Sequence, residues 1–119
     1  MPSSVAPNPV LPVSTYNIVG AVSAGAAARS GPGAIGWYYI SNNAAEKAYV
    51  KFYDAAAVNP ATDTPKLVLE IPAYGAANVN LDRPITFDTA IFVRACTGAA
   101  AANVTSPGAN EVIINFTHF

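Results

Sequence analysis

The stretch from Tyr38 to Thr97 constrains this chain more than any other part. It contains the runs Y-Y-I-S-N-N, A-Y-V-K-F-Y-D, T-P-K-L-V-L-E-I-P and I-T-F-D-T-A-I-F-V-R-A-C-T. Each is rich in β-branched and aromatic residues in partial alternation, and Pro, Asn, Asp and Gly interrupt them at short intervals. That is the pattern of brief strands joined by turns. In Ala48 to Asp54, Val50 and Phe52 share one face, and Tyr49, Lys51 and Tyr53 share the other. In Lys66 to Ile71, Leu67, Leu69 and Ile71 point inward while Lys66 and Glu70 point outward.

The same logic extends along the chain. Thr15 to Ser23 and Ile35 to Ile40 read as strands, the second carrying Trp37, Tyr38 and Tyr39. Ala24 to Gly33 is small and flexible with a turn signal at Gly31-Pro32-Gly33, and within it Ala26 to Arg29 has the composition for a turn of helix but poor caps. Asn78 to Leu81 and Ile85 to Phe87 read as two short strands separated by Asp82-Arg83-Pro84. Ala90 to Cys96 places Ile91 and Val93 opposite Phe92 and Arg94. Gly98 to Asn110 is an Ala-rich loop. Glu111 to Phe119 forms the last strand, with Val112, Ile114 and Phe116 on one face. The aromatic Phe119 implies that sheet pairing continues to that residue. Seven or eight strands and no amphipathic helix of useful length predict an all-β fold. A single sandwich of immunoglobulin-like or jelly-roll-like type is expected.

At 119 residues the chain is expected to form one domain, spanning 14–119, with residues 1–13 as an extended arm. Four prolines in that arm forbid helix and favour a polyproline-like path. Its Val10, Leu11, Pro12 and Val13 are apolar, which favours an arm that orders on a neighbouring subunit over the alternative of a disordered tail.

Charge is scarce: Lys plus Arg total 6 and Asp plus Glu 7, for a net charge of −1. Nucleic-acid binding needs clustered cations that release counterions, so it is not expected. A near-zero net charge also removes the usual barrier to self-association. Interruption by Pro, Ser, Asn and Gly rules out a transmembrane helix in residues 1–28, and no membrane partner is expected. Asn17 to Ala28 lacks the positive flank of a signal peptide.

Little in the chain points to chemistry. Cys96 is the one cysteine and reads as a small buried hydrophobe; His118 is the one histidine and makes no zinc set with it. Asp54, Asp63, Asp82 and Asp88 fall at strand ends and loops, where Asp caps turns, and no Asp-x-Asp-x-Asp calcium run exists. No catalytic residues, metal or cofactor are expected. Tyr49 and Tyr53 on one strand face, with Trp37 or Tyr39 nearby, are candidates for an aromatic contact surface. The alternative is that these rings fill or cover the fold.

The segments Y-Y-I-S-N-N (38–43), Y-V-K-F-Y-D (49–54), T-P-K-L (64–67), I-P-A-Y-G (71–75) and I-T-F-D-T-A-I-F-V-R-A-C-T-G-A-A (85–100) resemble small β-sandwich proteins of tailed-phage particles. The resemblance covers residues 35–119. Look-alikes often carry glycine where this chain has Ala90, and aspartates where it has Ala101, Ala102 and Asn103. The resemblance implies a virion structural protein without enzymatic activity, made in the host cytoplasm. It implies a decoration or cement subunit on the outer capsid surface that clamps major capsid protein subunits. A homo-oligomer, with a trimer matching threefold joints, is the expected state. The expected contact residues are Val10, Leu11, Pro12, Val13, Trp37, Tyr49 and Tyr53. A tail-associated adhesin or carbohydrate-binding module is the alternative, and an interaction domain of a cellular assembly is a third reading.

Overall fold

The computed structural model describes residues 14–19, 26–59, 62–100, 107 and 111–119. The arm with Val10, Leu11, Pro12 and Val13 lies outside the described residues, as does most of the Gly98–Asn110 loop. Eight strands are formed and no helix appears among the described residues. They are β1 (Ser14–Val19), β2 (Ala26–Arg29), β3 (Gly33–Asn42), β4 (Ala48–Tyr53), β5 (Leu67–Ile71), β6 (Ala76–Phe87), β7 (Ile91–Cys96) and β8 (Val112–His118).

The strands form two antiparallel sheets, ordered β1-β8-β3-β6 and β2-β7-β4-β5. The pairing is nested. β4 pairs with β5, β3 with β6, β2 with β7 and β1 with β8, as rungs of one long hairpin that turns between β4 and β5. Two further pairings, β3 with β8 and β4 with β7, knit the rungs into sheets.

Alternation decides which side of each strand is buried. Ile35, Tyr38, Ile40, Val112, Ile114 and Phe116 of the first sheet meet Val50, Phe52, Ile71, Ile91, Val93 and Ala95 of the second in one apolar core. Phe52 and Phe116 cross the gap edge to face, with ring centroids 5.3 Å apart. The inward residues expected in β4, β7 and β8 all lie in this core.

Two local expectations are corrected. Ala26–Arg29 is strand β2 and not helix, because pairing with β7 outweighs the helix preference of three alanines. The two short strands around Asp82-Arg83-Pro84 are one strand, β6. Its register jumps from Asn80 opposite Trp37 to Ile85 opposite Ile35, so the intervening residues form an excursion within the strand. β6 is an edge strand, where Pro84 can lack an N–H without breaking a ladder.

The ends of the fold are tied by side chains. The Asp54 carboxylate accepts hydrogen bonds from the backbone N–H groups of Thr89 (2.7 Å), Asp88 (3.0 Å) and Ala90 (3.3 Å). These bonds, that of Thr89 foremost, hold its carboxyl below the usual carboxylate range. The turn between β6 and β7 is thereby pinned to the end of β4. Lys66 donates to the Thr86 carbonyl and lies over the Phe87 ring.

His118 closes the core face of β8. It is buried, and its Nδ1 has no hydrogen-bond partner among the described residues. Burial, with Arg29 as a lesser cause, lowers its pKa below the ordinary histidine value.

Two outcomes follow from this packing. Phe116→Ala removes one half of the ring pair that joins the sheets, and urea unfolding is expected to show a loss of about 3–5 kcal/mol. His118 binds its proton less readily in the folded chain than in the unfolded one. Stability is therefore full above the ordinary histidine pKa and declines as pH falls through about 6.5 toward the depressed folded value. Melting temperatures measured from pH 8 to pH 5 are expected to fall for the natural chain and to flatten for His118→Phe.

Candidate functional site

The two sheets present very different outer faces. On the β2-β7-β4-β5 sheet, Lys51 and Arg94 stand opposite one another in register, pointing away from the core. Both are nonetheless fully buried. Lys51 Nζ donates to the Ala100 carbonyl at 2.6 Å, and Arg94 Nη1 donates to the Tyr53 hydroxyl at 3.1 Å. Buried cations need such partners, because an unsolvated charge is costly. The segment after β7 thus covers part of this face. Cys96 is buried there, within 3.3 Å of the Gly98 carbonyl.

Tyr53, expected at a contact surface, is instead fully buried, and its ring packs edge to face on Phe92. Alternation alone could not show this, since the covering segment comes from a distant part of the chain. Tyr49 lies on the same face and is half-buried, opposite Cys96 and Glu70 in register.

On the β1-β8-β3-β6 sheet the outer face carries exposed aromatic and amide side chains among the described residues. Trp37 and Tyr39 project from β3, alternating with the core residues Tyr38 and Ile40. Trp37 stands between Thr117 of β8 and Asn80 of β6, and Tyr39 between Asn115 and Asn78. The indole Nε1 donates to Asn78 Oδ1 at 3.3 Å, and Asn115 Nδ2 donates to the Tyr39 carbonyl at 3.3 Å. Phe119 extends the row. Its N–H and carbonyl pair with Ala34, and its ring lies over Gly36, where an added Cβ would come within 3.1 Å of it. Gly36 sits in the bulge between Ile35 and Trp37, so the bulge and the missing side chain together make room for the ring. No Asp, Glu, Lys or Arg occurs in β1, β3, β8 or residues 76–80.

The four expected aromatic residues are therefore not brought together. Trp37 and Tyr39 lie on the outside of one sheet, while Tyr49 and Tyr53 belong to the outward side of the other. Phe119 was not expected at a surface site. Glycine at 36, immediately before the aromatic run Trp37-Tyr38-Tyr39, was the available signal.

A second feature lies at one end of the fold. Buried Asn42 ties the β3–β4 loop to the β5–β6 turn. Its Nδ2 donates to the carbonyls of Glu46 (2.8 Å), Pro72 (3.1 Å) and Ile71 (3.4 Å), and its Oδ1 accepts from the Ala44 N–H at 3.0 Å. In the linked turn Tyr74 adopts a left-handed backbone conformation, φ 52°, with 74 % of its surface exposed. Its N–H donates to the Ala44 carbonyl at 3.0 Å, and Gly75 closes the turn onto Pro72 at 3.1 Å. Beside this loop, Asn42, Glu46, Lys47, Thr97, Pro107 and Glu111 help line a cavity of about 240 Å³. No group of three or more His, Cys, Asp and Glu side chains able to hold a metal gathers among the described residues.

A bulky residue held left-handed costs about 1–2 kcal/mol relative to glycine. Tyr74→Gly is therefore expected to raise stability in urea by about 1 kcal/mol, because the exposed ring gives little packing in return. A loss of stability would show instead that the ring is held by contacts in the fold. No protein-family model matches this chain, and comparison with curated proteins returned no match.

Proposed function

We propose that this chain is a jelly-roll virion structural protein, a decoration or cement subunit that binds the outer surface of a phage capsid and stabilises joints between major capsid subunits. The nested strand order carries this reading. A long antiparallel hairpin rolled into two facing sheets gives β1-β8-β3-β6 and β2-β7-β4-β5, the jelly-roll order. An immunoglobulin-like sandwich would instead divide its strands into ABED and CFG sheets. The jelly roll is a recurring fold of viral capsid domains. Because one fold hosts many functions, the virion assignment also rests on the resemblance to phage particle proteins.

The segments that carry the resemblance meet in space. Y-V-K-F-Y-D is β4 with Asp54, and I-T-F-D-T-A-I-F-V-R-A-C is the end of β6, its turn and β7. Asp54 joins them through the backbone of Asp88, Thr89 and Ala90. I-P-A-Y-G is the turn that presents Tyr74. Backbone strain of this kind is concentrated at binding and switch sites. In this reading the Tyr74 end, with its adjoining cavity, docks on capsid subunits. Burial of Tyr74 across a joint adds association free energy where two subunits must not part. The partner is the major capsid protein, and a trimer fits a threefold joint.

Purified protein added to phage particles stripped of it should co-sediment in hundreds of saturable copies and delay thermal rupture. Tyr74→Ala should weaken attachment while the sandwich stays folded. A few to tens of copies would place the protein at the tail or portal and sink the cement reading, as would the absence of association.

A further inference from the structure

We infer that the outer face of the β1-β8-β3-β6 sheet is a binding site for uncharged saccharides, formed by Phe119, Trp37 and Tyr39 with the amides of Asn78, Asn80 and Asn115. The site is separate from the Tyr74 end and does not depend on the docking role proposed for it.

The first ground is the aromatic row. Trp37 and Tyr39 are two residues apart on one strand face, a spacing of about 6.5–7 Å. Phe119 lies beyond Trp37, over Gly36. Aromatic rings offer an electron-rich face. The C–H groups of a sugar ring are polarised by their neighbouring oxygens and are drawn to such a face. The Trp37 indole is oriented before any ligand arrives, because Asn78 Oδ1 accepts its N–H. Tyr39 is 39 % exposed, in a core-flanking strand that leaves its backbone no freedom to retract.

The second ground is the polar lining. Across the strands, Trp37 is flanked by Thr117 and Asn80, and Tyr39 by Asn115 and Asn78. A carboxamide both donates and accepts hydrogen bonds, as a sugar hydroxyl does. Asn78 and Asn80 are exposed, and with Asn78 Oδ1 accepting from the indole, its NH₂ supplies donors beside Trp37.

The third ground is charge. Asp82 and Arg83 lie in the β6 excursion. With no Lys or Arg in β1, β3, β8 or residues 76–80, phosphate, sulfate and carboxylate groups find no counter-charge on the strands that flank Trp37 and Tyr39. With no Asp or Glu there, cationic ligands find none either. What matches an uncharged surface of rings and amides is a neutral sugar.

Trp37 is the only tryptophan in the chain, so its fluorescence reports on the site directly. Full-length protein titrated with cellohexaose, maltoheptaose and tetra-N-acetylchitotetraose is expected to change its emission saturably with at least one of them. Sialylated and sulfated glycans titrated in the same way should give no signal. Tyr39→Ala and Asn78→Ala, with melting temperatures checked, are each expected to weaken binding about tenfold, and Tyr74→Ala to leave it unchanged. Binding restricted to acidic glycans would overturn the inference, as would binding that both variants retain, or no response to any neutral sugar. If no sugar binds and Tyr39→Ala instead abolishes co-sedimentation with particles, the face is a protein contact and the inference fails while the virion reading stands. If sugar binds but particles do not, the virion reading fails and this one stands.

Discussion

The structure depends on the contact between two sheets, and the Phe52–Phe116 ring pair is its centre. Each sheet alone would expose an apolar face to water. Together they bury Ile35, Ile40, Val50, Ile91, Val93 and Ile114 completely. Burying such a side chain contributes about 1.5–3 kcal/mol, and the total is opposed by the entropy of ordering the whole chain. The nested pairing makes this core highly non-local. β1 pairs with β8, so elements near opposite ends of the described chain must meet before the sheet is complete. Such topologies fold slowly, because loop closure precedes the contacts that reward it.

The core uses one face of each sheet and leaves two outer faces with different fates. The face with Lys51 and Arg94 is partly covered by chain after β7, which turns charged outward residues into buried, hydrogen-bonded ones. The face with Trp37 and Tyr39 keeps its rings and amides at the surface. The strained Tyr74 turn at the end of the fold is a third distinct surface, positioned by the hydrogen bonds of Asn42.

Legibility differed from element to element for physical reasons. In β4, β5, β7 and β8 the inward residues followed from period-two alternation, because those strands have one side in the core. Ala26–Arg29 was misread, since alanine carries little strand signal and its conformation is imposed by β7. The excursion at Asp82-Arg83-Pro84 looked like a break because Pro and Asp mark turns, whereas an edge strand can absorb them. Trp37 and Tyr39 were legible only as possible neighbours of Tyr49 and Tyr53, and the structure puts them on the other sheet. Tyr53 was not legible as buried, and Phe119 was not legible as part of the row, because both depend on segments far away in sequence.

The amino-acid sequence by itself determined the all-β character, the approximate strand set, the inward residues and the scarcity of charge. These are local properties, set by the side-chain period of a strand and by turn residues that act over a few positions. Tertiary structure alone decided the nested order of the strands, which outer face is covered, and which aromatic residues share a surface. Those outcomes depend on pairings between distant segments. Alternation says that a residue faces away from the core, but only the packed chain determines whether water or another segment lies beyond it.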